Sequence, residues 1–125
     1  MKPALSVVPG LLTIHRFSSG AAFPPGLETV SPCWTARTAD ELSIVCDESI
    51  ELDSPQSETG WACIRVTGPL DFELTGILAG IAGVLAAAEI SLFALSTFDT
   101  DYVLVEADAL PRAVAALREA GYPIG

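Results

Sequence analysis

The chain has 125 residues, half of them hydrophobic, and a formal charge of −10, a size that fits one compact domain or two very small ones and excludes a large multidomain catalyst. Charged residues make up 18%, below the roughly 25% of soluble domains, so the acidity reflects scarce bases in a core-rich chain and not a disordered acidic tail. With one Lys and five Arg a phosphate-tracking groove is hard to assemble, which argues against nucleic acid and anionic membranes and leaves proteins and small polar molecules as partners.

In chain order, Leu5 to Val8 and Leu11 to Phe17 are apolar enough for two strands around a Pro9-Gly10 turn. Residues 18–32 hold three Pro and two Gly, which excludes a long helix and leaves room for a short helical turn. Trp34 to Arg37 and Leu42 to Cys46 read as two strands around a turn at Thr38 to Glu41. Trp61 to Thr67 alternates around Ile64 and Val66 and runs into Gly68-Pro69. Leu74, Ile77, Leu78, Ile81, Val84, Leu85 and Ala88 then share one helical stripe, with Glu89 at its end. Ile90 to Thr97 and Asp101 to Glu106 are strands joined by the tight turn Phe98 to Thr100. Asp108 suits an N-cap, Pro111 a first turn and Gly121 a helix stop. The tail Tyr122 to Gly125 offers a final edge strand.

From Leu74 to Phe98 the only formal charge is Glu89, which meets the length test for a membrane span. The period changes within the run from helix to strand, and acids flank both ends while the nearest bases are Arg65 and Arg112. A positive-inside signal has nothing to act on, and a membrane span is not expected. Neither a secretory pattern nor a CxxC pair is visible, so Cys33, Cys46 and Cys63 read as packing thiols of a reduced, cytoplasmic protein.

An internal repeat organises these elements. Thr38 to Val45 resembles Thr97 to Val105 at an offset of about 60, with one inserted residue in the second copy, so both halves share a hairpin plan. Residues 1–60 and 61–125 also carry the same three bases and eight acids. The expected organisation is two small modules, residues 1–58 with a degenerate first helix and residues 59–125. The expected fold class is α+β: antiparallel sheets with helices packed on one face, in the ferredoxin-like manner.

Little catalytic chemistry is on offer. His15 is the only histidine and reads as structural, since no second His or Cys cluster accompanies it to make a zinc site or triad. Ser18-Ser19-Gly20 lacks the strand–turn–helix frame of an activated serine. Asp99-Thr100-Asp101 matches a DxD metal pair but reads first as a turn. No cofactor, no metal site and no catalytic residue is expected. Gly76, Gly80 and Gly83 suggest a seam for close helix packing, because Gly costs about 1 kcal/mol in a helix interior and asks for a reason. The link Gly68 to Ile77 joins a strand to a helix, where backbone N–H groups can hold a carboxylate and nearby acids an ammonium. Locally, Asp71 and Thr75 could equally be plain helix caps.

Three stretches carry a family resemblance: Gly68-Pro69-Leu70-Asp71-Phe72, the helix Leu74 to Ala79, and Ile90 to Val105. Over residues 61–120 the chain resembles the ACT domain family, in the branch of CASTOR-type amino-acid sensors and aspartate kinase regulatory domains. The resemblance implies tandem ACT modules and a small amino acid bound at a module or subunit interface of a homodimer. It also implies the contacts: Asp71, Phe72, Thr75, Gly76 and Ile77 on the loop and helix start, with Ser96, Thr97, Phe98 and Asp101 on the strand and hairpin. N–H groups near Gly76 and Ile77 would take the carboxylate, and Asp71 or Asp101 an ammonium or basic side chain. The acids Asp71, Glu73, Asp99 and Asp101 favour a ligand carrying an ammonium or guanidinium. With no kinase domain in the chain, the expectation is a stand-alone, non-enzymatic regulatory protein acting on another enzyme. The alternative is a protein–protein interaction module that kept the ACT fold without a ligand.

Overall fold

The computed structural model describes residues 2–67 and 75–125. Along these the elements are β1 (Leu5–Ser18), β2 (Cys33–Arg37), β3 (Glu41–Asp47), β4 (Gln56–Val66), α1 (Ile77–Ala87), β5 (Phe93–Ser96), β6 (Asp101–Glu106) and α2 (Leu110–Glu119). The fold is α+β. Two compact units divide the chain, residues 10–61 and residues 62–125 together with 1–9.

In the unit of residues 10–61 the strand order is β2-β3-β1-β4, with β3 antiparallel to both β1 and β2. Thr13, His15 and Phe17 lie opposite Cys46, Ile44 and Leu42, so alternate residues of the two strands share one face. That face is the core: Phe17, Leu42, Ile44 and Cys46 cluster with Leu27, and Ile50 and Leu52 pack against them. The expected turn at Pro9-Gly10 does not form, because β1 runs through it as one strand with Gly10 at φ 83°. A positive φ at Gly lets a strand carry a local irregularity without reversing. Nor does residues 18–32 hold a helical turn. Pro24 and Pro25 lack the N–H a helix needs, and the segment uses isolated turns instead, Ala21 N–H to Ser18 O at 3.1 Å and Val30 N–H to Leu27 O at 3.2 Å.

In the unit of residues 62–125 with 1–9 the order is β1-β4-β6-β5, β5 and β6 being antiparallel. Ile64 and Val66 of β4, Val103 to Val105 of β6, and Ile81, Leu85, Ala113 and Leu117 of the helices are buried. The two helices touch each other, and α2 touches β6. Of the predicted α1 stripe, Leu74 lies outside the described residues, and among the others Ile81 and Leu85 are fully covered. Both helices stop in the same way. After α1, Glu89 adopts φ 59° and donates to Ala86 O at 3.0 Å, while Ile90 N–H reaches Leu85 O at 2.9 Å. After α2, Gly121 and Tyr122 make the equivalent bonds to Arg118 O and Leu117 O, both at 3.0 Å. This is the Schellman pattern, with buried Ile90 and Tyr122 as its apolar anchors. Arg112 adds a cation at Ala88 O, 3.2 Å away, where the helix dipole is negative.

Asp108 is not the cap of α2. It lies in a 3-10 turn, Ala107–Ala109, and the N-cap position is Ala109 with no side-chain bond. The tail does not form the expected edge strand but an isolated parallel bridge between Leu5 and Ile124, with Leu5 N–H donating to Pro123 O at 2.7 Å and Gly125 N–H to Leu5 O at 3.1 Å.

The three glycines of α1 do not form one seam. Gly76 precedes the helix in the left-handed region. A Cβ at Gly80 would stand 2.8 Å from the Tyr122 hydroxyl, whereas one at Gly83 would meet nothing within 4 Å among the described residues. Gly83→Ala should therefore stabilise by about 1 kcal/mol, the full propensity gain. Gly80→Ala should fall short of it, since buried Tyr122 must move. Thermal melts of the two variants check this, and equal gains would contradict it.

The two hairpins repeat in atomic detail. Thr38 N–H donates to Glu41 O at 2.9 Å and Thr97 N–H to Thr100 O at 2.8 Å. Each threonine Oγ1 also accepts the N–H three residues on, from Glu41 at 3.3 Å and Thr100 at 3.4 Å. Arg37 pairs with Leu42 and Ser96 with Asp101, so the copies align at a constant offset and the one-residue insertion inferred from sequence disappears. Buried Ile44, Val45 and Cys46 then match buried Val103, Leu104 and Val105.

Candidate functional site

Among the described residues no side chain caps the start of α1. Gly76 precedes it at φ 79° and ψ 0°, no side chain bonds at that position, and no acid lies in the first turn. Thr75 is therefore not a cap. A Cβ on Gly76 would meet nothing within 4 Å among the described residues, and the positive φ by itself asks for glycine. Gly80 N–H returns to Gly76 O at 2.8 Å, and the N–H groups before it, from Ile77 onward, have no carbonyl within the helix to reach. Thr75 and Gly76 are exposed and Ile77 is half-buried. Such donors, at the positive end of the helix dipole, suit an anionic group such as a carboxylate. Asp71 and Phe72, the other residues expected on this side, lie outside the described residues.

The turn between β5 and β6 supplies the other expected residues. Ser96 and Asp101 face each other across the ladder, and Ser96 Oγ donates to Asp101 Oδ1 at 2.6 Å. Thr97 Oγ1 donates to Thr100 O at 3.2 Å, which stiffens the turn. Phe98 stands at its tip, 81% exposed. Asp101 is half-buried, and its carboxylate suits a cationic group. Thr100, which sequence reasoning treated only as turn filling, anchors this arrangement. It is buried, and its Oγ1 donates to Val66 O at 2.7 Å, fixing the turn at the end of β4 where the chain departs for α1. The only sequence signal for it was a β-branched hydroxyl between two acids.

Nucleophilic chemistry is not provided for by the thiols. Burial pushes Cys63 up to about 12. Burial, with Cys33 and Asp47 nearby, pushes Cys46 up to about 11, and burial also raises Cys33. All three are unbridged and stay protonated near neutral pH, which makes them poor nucleophiles. Among the described residues no group of three His, Cys, Asp or Glu side chains is placed to hold a metal ion. No helix among them is long and apolar enough to cross a membrane.

Comparison with known proteins places this geometry in context. The sequence profile of the ACT domain matches residues 56–119. The human protein named cytosolic arginine sensor for mTORC1 subunit 1 is 39% identical over 85 residues, a match covering 62% of this chain and 26% of that protein. The chain thus spans about a quarter of the length of the curated relatives it matches. Among solved structures, protein Atu0741 of Agrobacterium tumefaciens superposes with a TM-score of 0.90 at 32% identity, over 100% of this chain and 93% of that one. Aspartate kinase of Clostridium acetobutylicum superposes with a TM-score of 0.67 at 15% identity, over 88% of this chain and 33% of the kinase. That last likeness is one of fold alone.

Proposed function

The chain belongs to the ACT domain family, and on that premise we propose that it is a regulatory module that senses a small amino acid. One observation supports the reading: the matched region contains a helix start whose N–H groups are capped by no side chain among the described residues. A zwitterion fits there with its carboxylate at the N–H groups of Ile77 and its neighbours. Its ammonium or basic side chain goes to Asp101, with Asp71, Phe72, Thr75, Ser96, Thr97 and Phe98 as the remaining contacts. Arginine leads the candidates, because the mammalian relatives are arginine sensors by name and the acids of this region suit a guanidinium. The reading includes residues 1–58 and 59–125 as two ACT-like modules, a homodimer, a cytoplasmic location, and an enzyme whose activity follows ligand occupancy.

The Ser96–Asp101 bond favours a second reading, in which the hairpin is self-satisfied and the chain is an interaction module without a ligand. A thermal-shift panel of the common amino acids separates the two. The sensor reading expects one or a few to raise the melting temperature, since a ligand that binds only the native state stabilises it by mass action, and expects Asp101→Ala to remove the shift. A flat panel at millimolar concentration favours the second reading.

A further inference from the structure

The unit of residues 10–61 carries an open cleft of about 580 Å³, whose lining includes no residue of the α1 start or the β5–β6 hairpin. Its floor includes Thr13 and His15 of β1, and its wall is the segment that follows β3. Glu48, Glu51 and Asp53 line it, and no lysine or arginine does. Ile50 and Leu52 turn inward against the Phe17 cluster, whereas Glu51 and Asp53 are exposed. The cleft therefore pairs an apolar wall with an anionic rim.

His15 distinguishes this place from an ordinary acidic surface. The ring is 5% exposed and stacks beside Phe17, with centroids 6.4 Å apart. Nδ1 is bonded to Ser54 Oγ at 2.8 Å. Nε2 is buried and meets no hydrogen-bond partner among the described residues. A buried polar atom left this way is costly and asks for a partner. Burial also holds the imidazole below its ordinary value of 6.5, so the ring is neutral near neutral pH. A neutral ring with Nδ1–H given to Ser54 has an acceptor at Nε2.

We infer that this cleft is a second binding site, for a small alkyl cation with N–H donors, a guanidinium or a primary ammonium. One N–H donates to His15 Nε2, the remaining charge faces Glu48, Glu51 and Asp53, and the alkyl chain lies on Ile50 and Leu52. Charge-assisted bonds of this kind are about twice as strong as neutral ones. The ligand needs no carboxylate, which separates this site from the one proposed at the start of α1.

Because His15 is the only histidine, a ¹⁵N-labelled sample gives one imidazole to follow by NMR. The full chain is titrated with butylguanidinium, butylammonium and the neutral isostere butylurea. At least one cation should move the Nε2 resonance saturably and butylurea should not, and which cation binds tighter identifies the head group. Glu51→Gln with Asp53→Asn, both at exposed positions, should weaken the response by about tenfold or more, while Asp101→Ala leaves it intact. No response to either cation, an equal response to butylurea, or an undiminished response in the double variant would overturn the proposal. None of these results bears on amino-acid binding at α1.

Discussion

Leu85→Ala is expected to cost about 2–5 kcal/mol, the range for truncating a fully buried leucine that leaves a cavity. Leu85 is 0% exposed, and with Ile81 it is one of the two residues of α1 that are fully covered. It also stands where the Schellman stop begins, its carbonyl taking the Ile90 N–H at 2.9 Å, so its side chain packs where the helix is pinned at its far end. The start of α1 carries the proposed carboxylate site and has no side-chain cap among the described residues. Its position depends on this packing. Urea unfolding of the purified variant gives the loss directly, with an unchanged slope showing that stability rather than compactness has altered. Leu78→Ala, at a half-buried position, should cost clearly less. Equal costs at both positions would mean that α1 buries a different face.

Thr100→Val is expected to cost about 1–3 kcal/mol, because the isosteric side chain keeps the volume but withdraws the hydroxyl from a buried carbonyl. That hydroxyl donates to Val66 O at 2.7 Å, a bond joining residues 34 apart in sequence. Its loss frees the β5–β6 turn from the end of β4, so the variant should also bind the proposed amino-acid ligand more weakly than the parent, although Asp101 and its bond from Ser96 are untouched. Thr100→Ser retains the donor and should recover most of both properties. Calorimetric titration alongside denaturant unfolding reads the two effects together. A Thr100→Val protein with parental stability would show that the Val66 carbonyl finds another donor.

What the sequence made legible is what local pattern controls. The hairpins were readable from two apolar runs flanking Thr-x-Asp turns, the α1 stripe from its 3.6-residue period, and the end of α2 from Gly121. Tertiary bonds were not readable in this way. Thr100 finds Val66 and His15 finds Ser54 across separations of 34 and 39 residues, and no spacing rule announces either. Pro9-Gly10 misled because the pair is a strong turn signal, yet a positive φ at Gly10 also fits inside a continuous strand. Asp108 misled because it is a good capping residue placed one residue too early, inside the 3-10 turn that precedes α2. Glu89 was placed correctly at the helix end, but nothing in its chemistry forecasts a left-handed conformation usually left to glycine. Of the expected ligand contacts, Ser96, Thr97, Phe98 and Asp101 occupy one turn, Thr75 to Ile77 occupy one helix start, and Asp71 and Phe72 lie in the link between β4 and α1, outside the described residues.

The repeat was visible as a short match and becomes clearer in geometry. Thr38 and Thr97 use the same three-residue reach, and the register removes the gap that the letters alone required. The two hairpins thus share one turn geometry.

The central claim is tested most directly by isothermal titration of the full chain with arginine and then with each other common amino acid, repeated on Asp101→Ala. Saturable binding of at least one amino acid to the parent, lost or weakened by about tenfold or more in Asp101→Ala as for a removed charge-assisted bond, is the predicted result. Binding undetectable for every amino acid at millimolar concentration, or equally tight in the variant, would contradict it.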